Sequence, residues 1–272
     1  MRSTAIALSI AFLFNMSLMA QEDAEPKAPK FIVATTFHWE LGSETPSAKD
    51  WKATEKEFFV KVTSKNEYIL GTGVMVHYFT ADNSELIFVA TYGSWADIEA
   101  GQKRSGELIN EAWPDEEERK AFFKKKNSAY TDLHSDEIYA PAPGVKLPAE
   151  NSGEPMVMYF QKRKFAFPED GSQDEFTQLQ KEYNDAVIQK NDLIKAYYPN
   201  YHSWGADRRD FLEVSVFSSL ADVEKSFEKT GELVNAAWPD EAKRKEFFKK
   251  SSKYYTGEHS DNVYHNVPEL AK

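Results

Sequence analysis

The sequence predicts an α+β protein made of two β-α-β-β-α-β repeats whose antiparallel sheets pack face to face as a pseudo-dimeric barrel. The first observation behind this is a duplication. Gly106-Glu-Leu-Ile-Asn-Glu-Ala-Trp-Pro-Asp-Glu116 returns 125 positions later as Gly231-Glu-Leu-Val-Asn-Ala-Ala-Trp-Pro-Asp-Glu241. The same step carries His77 to His202 and His134-Ser-Asp136 to His259-Ser-Asp261, with no gap needed from Phe31 to Tyr139 against Met156 to Tyr264. A repeat this long is a domain rather than a solenoid unit, so the chain reads as a fused pseudo-dimer. The second observation is the order of elements within each copy. The third is geometric: with both helices on one face, each sheet leaves its other face bare, and the second repeat supplies the cover.

Each element has its signal. Phe31 to Trp39 is a β-rich run matched by Met156 to Lys164. Trp51, Phe58, Phe59 and Val62 recur at helical spacing, as do Phe176, Leu179, Tyr183 and Val187. Two strands joined by a polar turn follow, Ile69 to Phe79 and Leu86 to Tyr92, matched by Ile194 to Trp204 and Phe211 to Phe217. Ser94-Trp-Ala-Asp97 and Ser219-Leu-Ala-Asp222 are capping boxes that open a longer helix. Pro114 and Pro239 interrupt that helix, and a fresh segment carries Phe122-Phe123 or Phe247-Phe248. A short strand near Glu137 to Tyr139, or Asn262 to Tyr264, closes each copy.

The boundaries follow. Residues 1–20 read as a secretory signal: Arg2, an apolar run from Ala5 to Phe14, then a small residue, Ala20. Residues 21–30 are a polar leader, 31–140 repeat 1, 141–154 a proline-rich linker, 155–266 repeat 2 and 267–272 a tail. The run is shorter than the roughly 20 apolar residues of a spanning helix, so a periplasmic or secreted protein with no membrane span is expected. The chain has no cysteine, which excludes thiolate chemistry and disulfide stapling. A net charge of −11 argues against a nucleic-acid partner. Further homodimerisation is compatible with the pattern.

On this topology and duplication the chain resembles the dimeric α/β-barrel superfamily of ferredoxin-like repeats, in a tandem single-chain form. The resemblance spans nearly all of the chain beyond the signal but rests on no catalytic motif. It implies a superfamily that includes cofactor-free monooxygenases, haem-degrading and haem-containing enzymes and binders of no known activity, so function must come from the site.

Strand alternation sorts the faces. In repeat 1, His38 and His77 should point into the barrel among apolar neighbours. In repeat 2 the inward set is Tyr159, Gln161, Arg163, Tyr198, Asn200, His202, Trp204 and Glu213, unless a bulge around Pro199 inverts the second strand. Polar and aromatic groups converging in one copy indicate a small-molecule site. The expectation is therefore a cavity dominated by repeat 2 that binds a small polar or aromatic ligand without catalysis. One alternative is a cofactor-free monooxygenase-like or haem-dependent enzyme acting on a small aromatic substrate, with His202 or Glu213 as its catalytic group. Another is an interaction protein with a filled barrel. No cofactor is required; haem on His77 or His202, or a divalent metal on His77, His202 and Glu213, are the variants. The His-Ser-Asp pairs read as turn formers ahead of a strand, because adjacent side chains cannot align as a triad. The Trp-Pro-Asp pairs read as helix packing.

Overall fold

A computed structural model of the chain describes residues 28–42, 45–149 and 153–272, so the expected signal and most of the leader lie outside the described residues. Repeat 1 comprises β1 (Phe31–Trp39), α1 (Ala48–Lys61), β2 (Gly71–Phe79), β3 (Glu85–Tyr92), α2 (Trp95–Ala112), α3 (Glu116–Asn127) and β4 (Tyr130–Pro141). Repeat 2 comprises β5 (Val157–Phe165), α4 (Gln173–Tyr183), β6 (Ala196–Trp204), β7 (Asp210–Phe217), α5 (Leu220–Ala237), α6 (Glu241–Ser252) and β8 (Tyr255–Asn266). The eight strands close a barrel in the order β1-β3-β2-β8-β5-β7-β6-β4, every neighbour antiparallel. Strands β1, β2, β5 and β6 therefore run the same way, which sets the pseudo-two-fold along the barrel axis.

Local chemistry starts the helices where the sequence indicates. Ser94 and Ser219 accept the Asp97 and Asp222 amides at 3.1 and 3.2 Å, and Asp115 accepts the Glu118 amide at 2.9 Å beyond the proline break. Among the described residues no helix is long and apolar enough to cross a membrane.

Side chains fill the barrel. Met75, Ile87, Tyr139, Phe160, Leu212, Val214 and Tyr264 form one buried cluster, with the Phe160 and Tyr264 rings 4.9 Å apart. Separate cores lie between the sheet and the helices of each repeat. Two segments outside the expected repeats are built into them. Lys146 bridges Tyr197 and donates its ammonium to the Asn191 carbonyl at 2.8 Å, so part of the linker packs on repeat 2. Leu270 of the tail is buried in the core of repeat 1.

The repeats differ by one residue in a decisive place. Glu85 and Asp210 open β3 and β7, and Tyr130 and Tyr255 open β4 and β8, each pair 125 apart; Phe31 and Val157, which open β1 and β5, are 126 apart. The segment between β5 and the helix cap Ser172 is one residue shorter than that between β1 and the cap Ser47. An ungapped alignment thus slips β5 by one position, and in a strand a one-residue slip exchanges the two faces.

Candidate functional site

That slip corrects the expected site. Met158, Phe160, Lys162 and Lys164 of β5 face the barrel, while Tyr159, Gln161 and Arg163 lie on the opposite face, beneath the helices. Glu213 shares that outer face, because Leu212 and Val214 are the barrel-side residues of β7. Both faces of β7 are apolar enough to be buried, so alternation alone could not orient it. On β6 the register with β7 is regular, and Tyr198, Asn200 and His202 lie on the barrel side; Trp204, at the strand's end, is 70% exposed. No bulge inverts that set. His38 and His77 also take the barrel side.

Several barrel-side polar groups pair with near neighbours. His77 Nδ1 lies 2.7 Å from Thr80 Oγ1, and His38 Nδ1 lies 3.1 Å from Ser84 Oγ and 3.3 Å from Asp82. On the repeat 2 side, Glu137 accepts from the Tyr139 hydroxyl at 2.6 Å and from Lys162 at 3.2 Å, and Lys164 pairs with Asp207 and the buried Asp210. Burial pushes the Glu137 carboxyl up, but Tyr139 and Lys162 outweigh it and hold it below the ordinary carboxylate value. Asn200 Oδ1 and His202 Nε2 are buried there without a hydrogen-bond partner.

The open space is elsewhere. Between the outer face of β5, β7 and β8 and the helices α4 and α6 lies a cavity of about 680 Å³. Its floor is Gln161, Arg163, Glu213 and Tyr255. Leu179, Gln180 and Tyr183 of α4 and Phe247, Phe248, Ser251 and Ser252 of α6 form its walls, and His259 stands at its rim. Arg163 donates from Nε and Nη2 to Gln161 Oε1 at 2.8 and 2.6 Å, and its guanidinium lies 5.1 Å from the Tyr255 ring centre. The same Nε is 3.1 Å from Glu213 Oε2, but its N–H points at Gln161. The Arg163–Glu213 contact is thus a charge pairing. Glu213 Oε1 accepts the Tyr197 hydroxyl, whereas Oε2 is buried with no hydrogen bond. Burial works against the Arg163 charge, yet the Glu213 carboxylate keeps its pKa above the usual value. Burial and then Glu213 raise the Tyr183 phenol above its usual value and hold Tyr197 and Tyr255 well above theirs, so all three stay protonated.

Repeat 1 shows why only repeat 2 is open here. Phe37, Phe88, Lys126 and Glu55 stand where repeat 2 has Arg163, Glu213, Ser251 and Gln180. Phe37 and Phe88 meet edge to face at 5.5 Å. The Lys126 ammonium lies 5.1 Å from the centre of the Phe58 ring and pairs with the buried Glu55 at 2.8 Å. Two phenylalanines and a lysine stem fill the space. Their replacements are shorter or polar, and Ser251 leaves the lysine's volume empty.

The variants involving metal or haem meet this geometry directly. Glu213 and His202 sit on opposite faces of the sheet, so His77, His202 and Glu213 cannot converge on one ion. His77 and His202 lie on the barrel side, half-buried, whereas His259 is the histidine among the described residues that lines the outer cavity. The His-Ser-Asp pairs fall inside strands, not before them: β4 and β8 begin at Tyr130 and Tyr255, where Asp136 and Asp261 pair with Thr35 and Gln161 of the neighbouring strands.

No protein-family model matches the chain, and no curated protein matches it in sequence. Solved structures do share its fold. A candidate monooxygenase from Lactobacillus acidophilus NCFM superposes with a TM-score of 0.51 at 10% identity, over 88% of this chain and 94% of that one. A second candidate monooxygenase, from Fusobacterium nucleatum subsp. nucleatum, gives 0.53 at 10% identity over 88% and 93%. A chlorite dismutase variant from Candidatus Nitrospira defluvii gives 0.51 at 13% identity over 88% and 91%. At such identities the likeness establishes the fold, that of ferredoxin-like dimeric α/β-barrel proteins.

Proposed function

We propose that the chain is an enzyme acting on a small hydroxylated aromatic compound held in the outer cavity of repeat 2, with Glu213 as general base. The observation that carries this reading is the contrast between repeats: where repeat 1 is plugged, repeat 2 opens a cavity and places in it a buried carboxylate oxygen with no donor. An O–H of a planar ring supplies that missing donor. The Phe247, Phe248 and Leu179 side chains cover the ring, and the Tyr183 hydroxyl and Arg163 guanidinium receive its oxygens.

Charge balance selects a neutral acid over an anionic ligand. Arg163 is already paired with Glu213, so a carboxylate would add an uncompensated charge to a partly buried site. A phenol or enol that passes its proton to Glu213 Oε2 leaves its own oxyanion facing Arg163, and the net charge is unchanged. The resulting anion is electron-rich enough to react with dioxygen. Conversion of a ring methylene to a ring carbonyl with release of water balances with dioxygen alone. This reaction class fits the monooxygenase descriptions of the structural neighbours.

The test is oxygen uptake with a panel of hydroxylated aromatic compounds, with product mass measured under ¹⁸O₂. Turnover that disappears in Glu213→Gln while the ligand still binds is the expected result. Binding without oxygen uptake in the wild type would return the protein to the class of ligand carriers.

A further inference from the structure

One duplicated motif takes no part in the proposed chemistry. His134-Ser-Asp136 and His259-Ser-Asp261 occupy equivalent strand positions, yet their aspartates do different things. In repeat 1, Asp136 accepts the Thr35 hydroxyl at 2.6 Å, and His134 stands 3.7 Å away. In repeat 2, Asp261 Oδ1 accepts both the Tyr159 hydroxyl at 2.6 Å and the Gln161 side-chain amide at 3.1 Å, while His259 Nε2 lies 3.1 Å from Oδ2. Gln161 takes the place of Thr35 and is longer, so it reaches past Asp261 to Arg163.

The orientation of the Gln161 amide follows from its neighbours' chemistry. A carboxylate only accepts, so the NH₂ end must face Asp261. A guanidinium only donates, so the carbonyl end must face Arg163. With Nε and Nη2 both committed to that carbonyl, the guanidinium plane is fixed where Arg163 lines the cavity. We propose that Asp261 is a positioning residue: through Gln161 it sets the plane in which Arg163 meets the substrate oxygen. It touches no ligand itself. The inference rests on the proposed function for its meaning in catalysis, but its geometry can be tested without a ligand.

Three variants test it: Asp261→Asn, Gln161→Glu and the two combined. In Asp261→Asn the new amide no longer demands the NH₂ end of Gln161, and the pair can turn over and lose the acceptor that Arg163 needs. In Gln161→Glu two carboxylates face each other with no proton between them. The double variant restores the chain with roles exchanged. The amide introduced at position 261 donates to the carboxylate introduced at position 161, and that carboxylate accepts from Arg163. Asp261 is 39% exposed on its strand, so the substitution is compatible with folding.

The first readout is the Nε–H signal of Arg163 in an arginine-labelled NMR spectrum, assigned with Arg163→Lys. It should be protected from exchange in the wild type, unprotected in Asp261→Asn and protected again in the double variant. The second is affinity for a hydroxylated aromatic ligand, expected to weaken about tenfold in Asp261→Asn and to recover in the double variant. An Nε–H signal unmoved by Asp261→Asn, or a double variant no better protected than Asp261→Asn, overturns the assignment. If the wild type binds no such ligand, the proposed function fails, while the NMR result still decides the role of Asp261.

Discussion

Glu213 and Phe88 hold the same position in their two repeats and do opposite things with it. Phe88 packs its ring against Phe37 at 5.5 Å and closes repeat 1; Glu213 turns toward Tyr197 and Arg163 and helps to line a cavity of about 680 Å³. The scaffold is shared, and the contents of one layer decide which repeat is open.

Closing the second repeat should therefore be possible by copying the first. Arg163→Phe/Gln180→Glu/Glu213→Phe/Ser251→Lys is expected to abolish ligand binding, the introduced glutamate pairing with the introduced lysine as Glu55 does with Lys126. Stability should stay within about 2 kcal/mol of the wild type, because replacing a buried ion pair with packed apolar groups is often neutral or stabilising. Urea unfolding alongside ligand titration checks both halves.

Removing one partner alone should cost more than removing both. Arg163→Ala leaves Glu213, whose side chain is 12% exposed, without its counter-charge. Since Arg163 itself is 37% exposed and partly screened by solvent, a loss of about 2 kcal/mol at neutral pH is expected. Arg163→Ala/Glu213→Gln should recover part of it, and a double-mutant cycle measures how much.

The barrel-side carboxylate gives a pH prediction with a definite sign. Burial raises the folded-state pKa of Glu137, but the Tyr139 hydroxyl and Lys162 outweigh it and leave the value depressed below the ordinary one. Its contribution is therefore present above the unfolded pKa of about 4.3 and is lost as pH falls through the lower folded value. Glu137→Gln should destabilise at pH 7, and the gap to the wild type should narrow below pH ~4. A gap that widens on acidification would refute the sign.

Two buried asparagines should rank among the most sensitive scaffold positions. Asn66 donates to the Gly101 carbonyl and the Ser105 hydroxyl at 2.8 and 2.9 Å; its counterpart Asn191 donates to Ser226 and Thr230 at 3.0 to 3.1 Å. Each also accepts a backbone amide two residues on, tying the segment before β2 or β6 to the long helix. Asn191→Leu should cost about 2–4 kcal/mol, since several buried groups lose partners together, and thermal unfolding measures it.

Much of the fold was legible because it rests on repetition and local chemistry. The duplication, the serine caps and the proline breaks are properties of short stretches, and the structure places them where the pattern does. The inference that repeat 2 carries the polar set also came from the sequence, since Arg163, Gln161 and Glu213 differ from their repeat 1 counterparts. The layer they occupy did not. One missing residue between β5 and Ser172 exchanges the faces of β5, and β7 is apolar on both sides, so no alternation could orient it. Nothing in the spacing marked Ser251 as the place where a lysine's volume is missing, because a void is defined by what surrounds it.

The sequence by itself determined that there are two repeats, where their helices begin and break, and that the second is chemically distinct from the first. These follow from residue identity and from spacing along the chain. Only the tertiary structure decided that the barrel is filled and that Arg163 and Glu213 meet beneath helices α4 and α6 rather than inside it. The physical reason is that a strand's side chains alternate with a period of two, so its face depends on registration with neighbours far away in sequence.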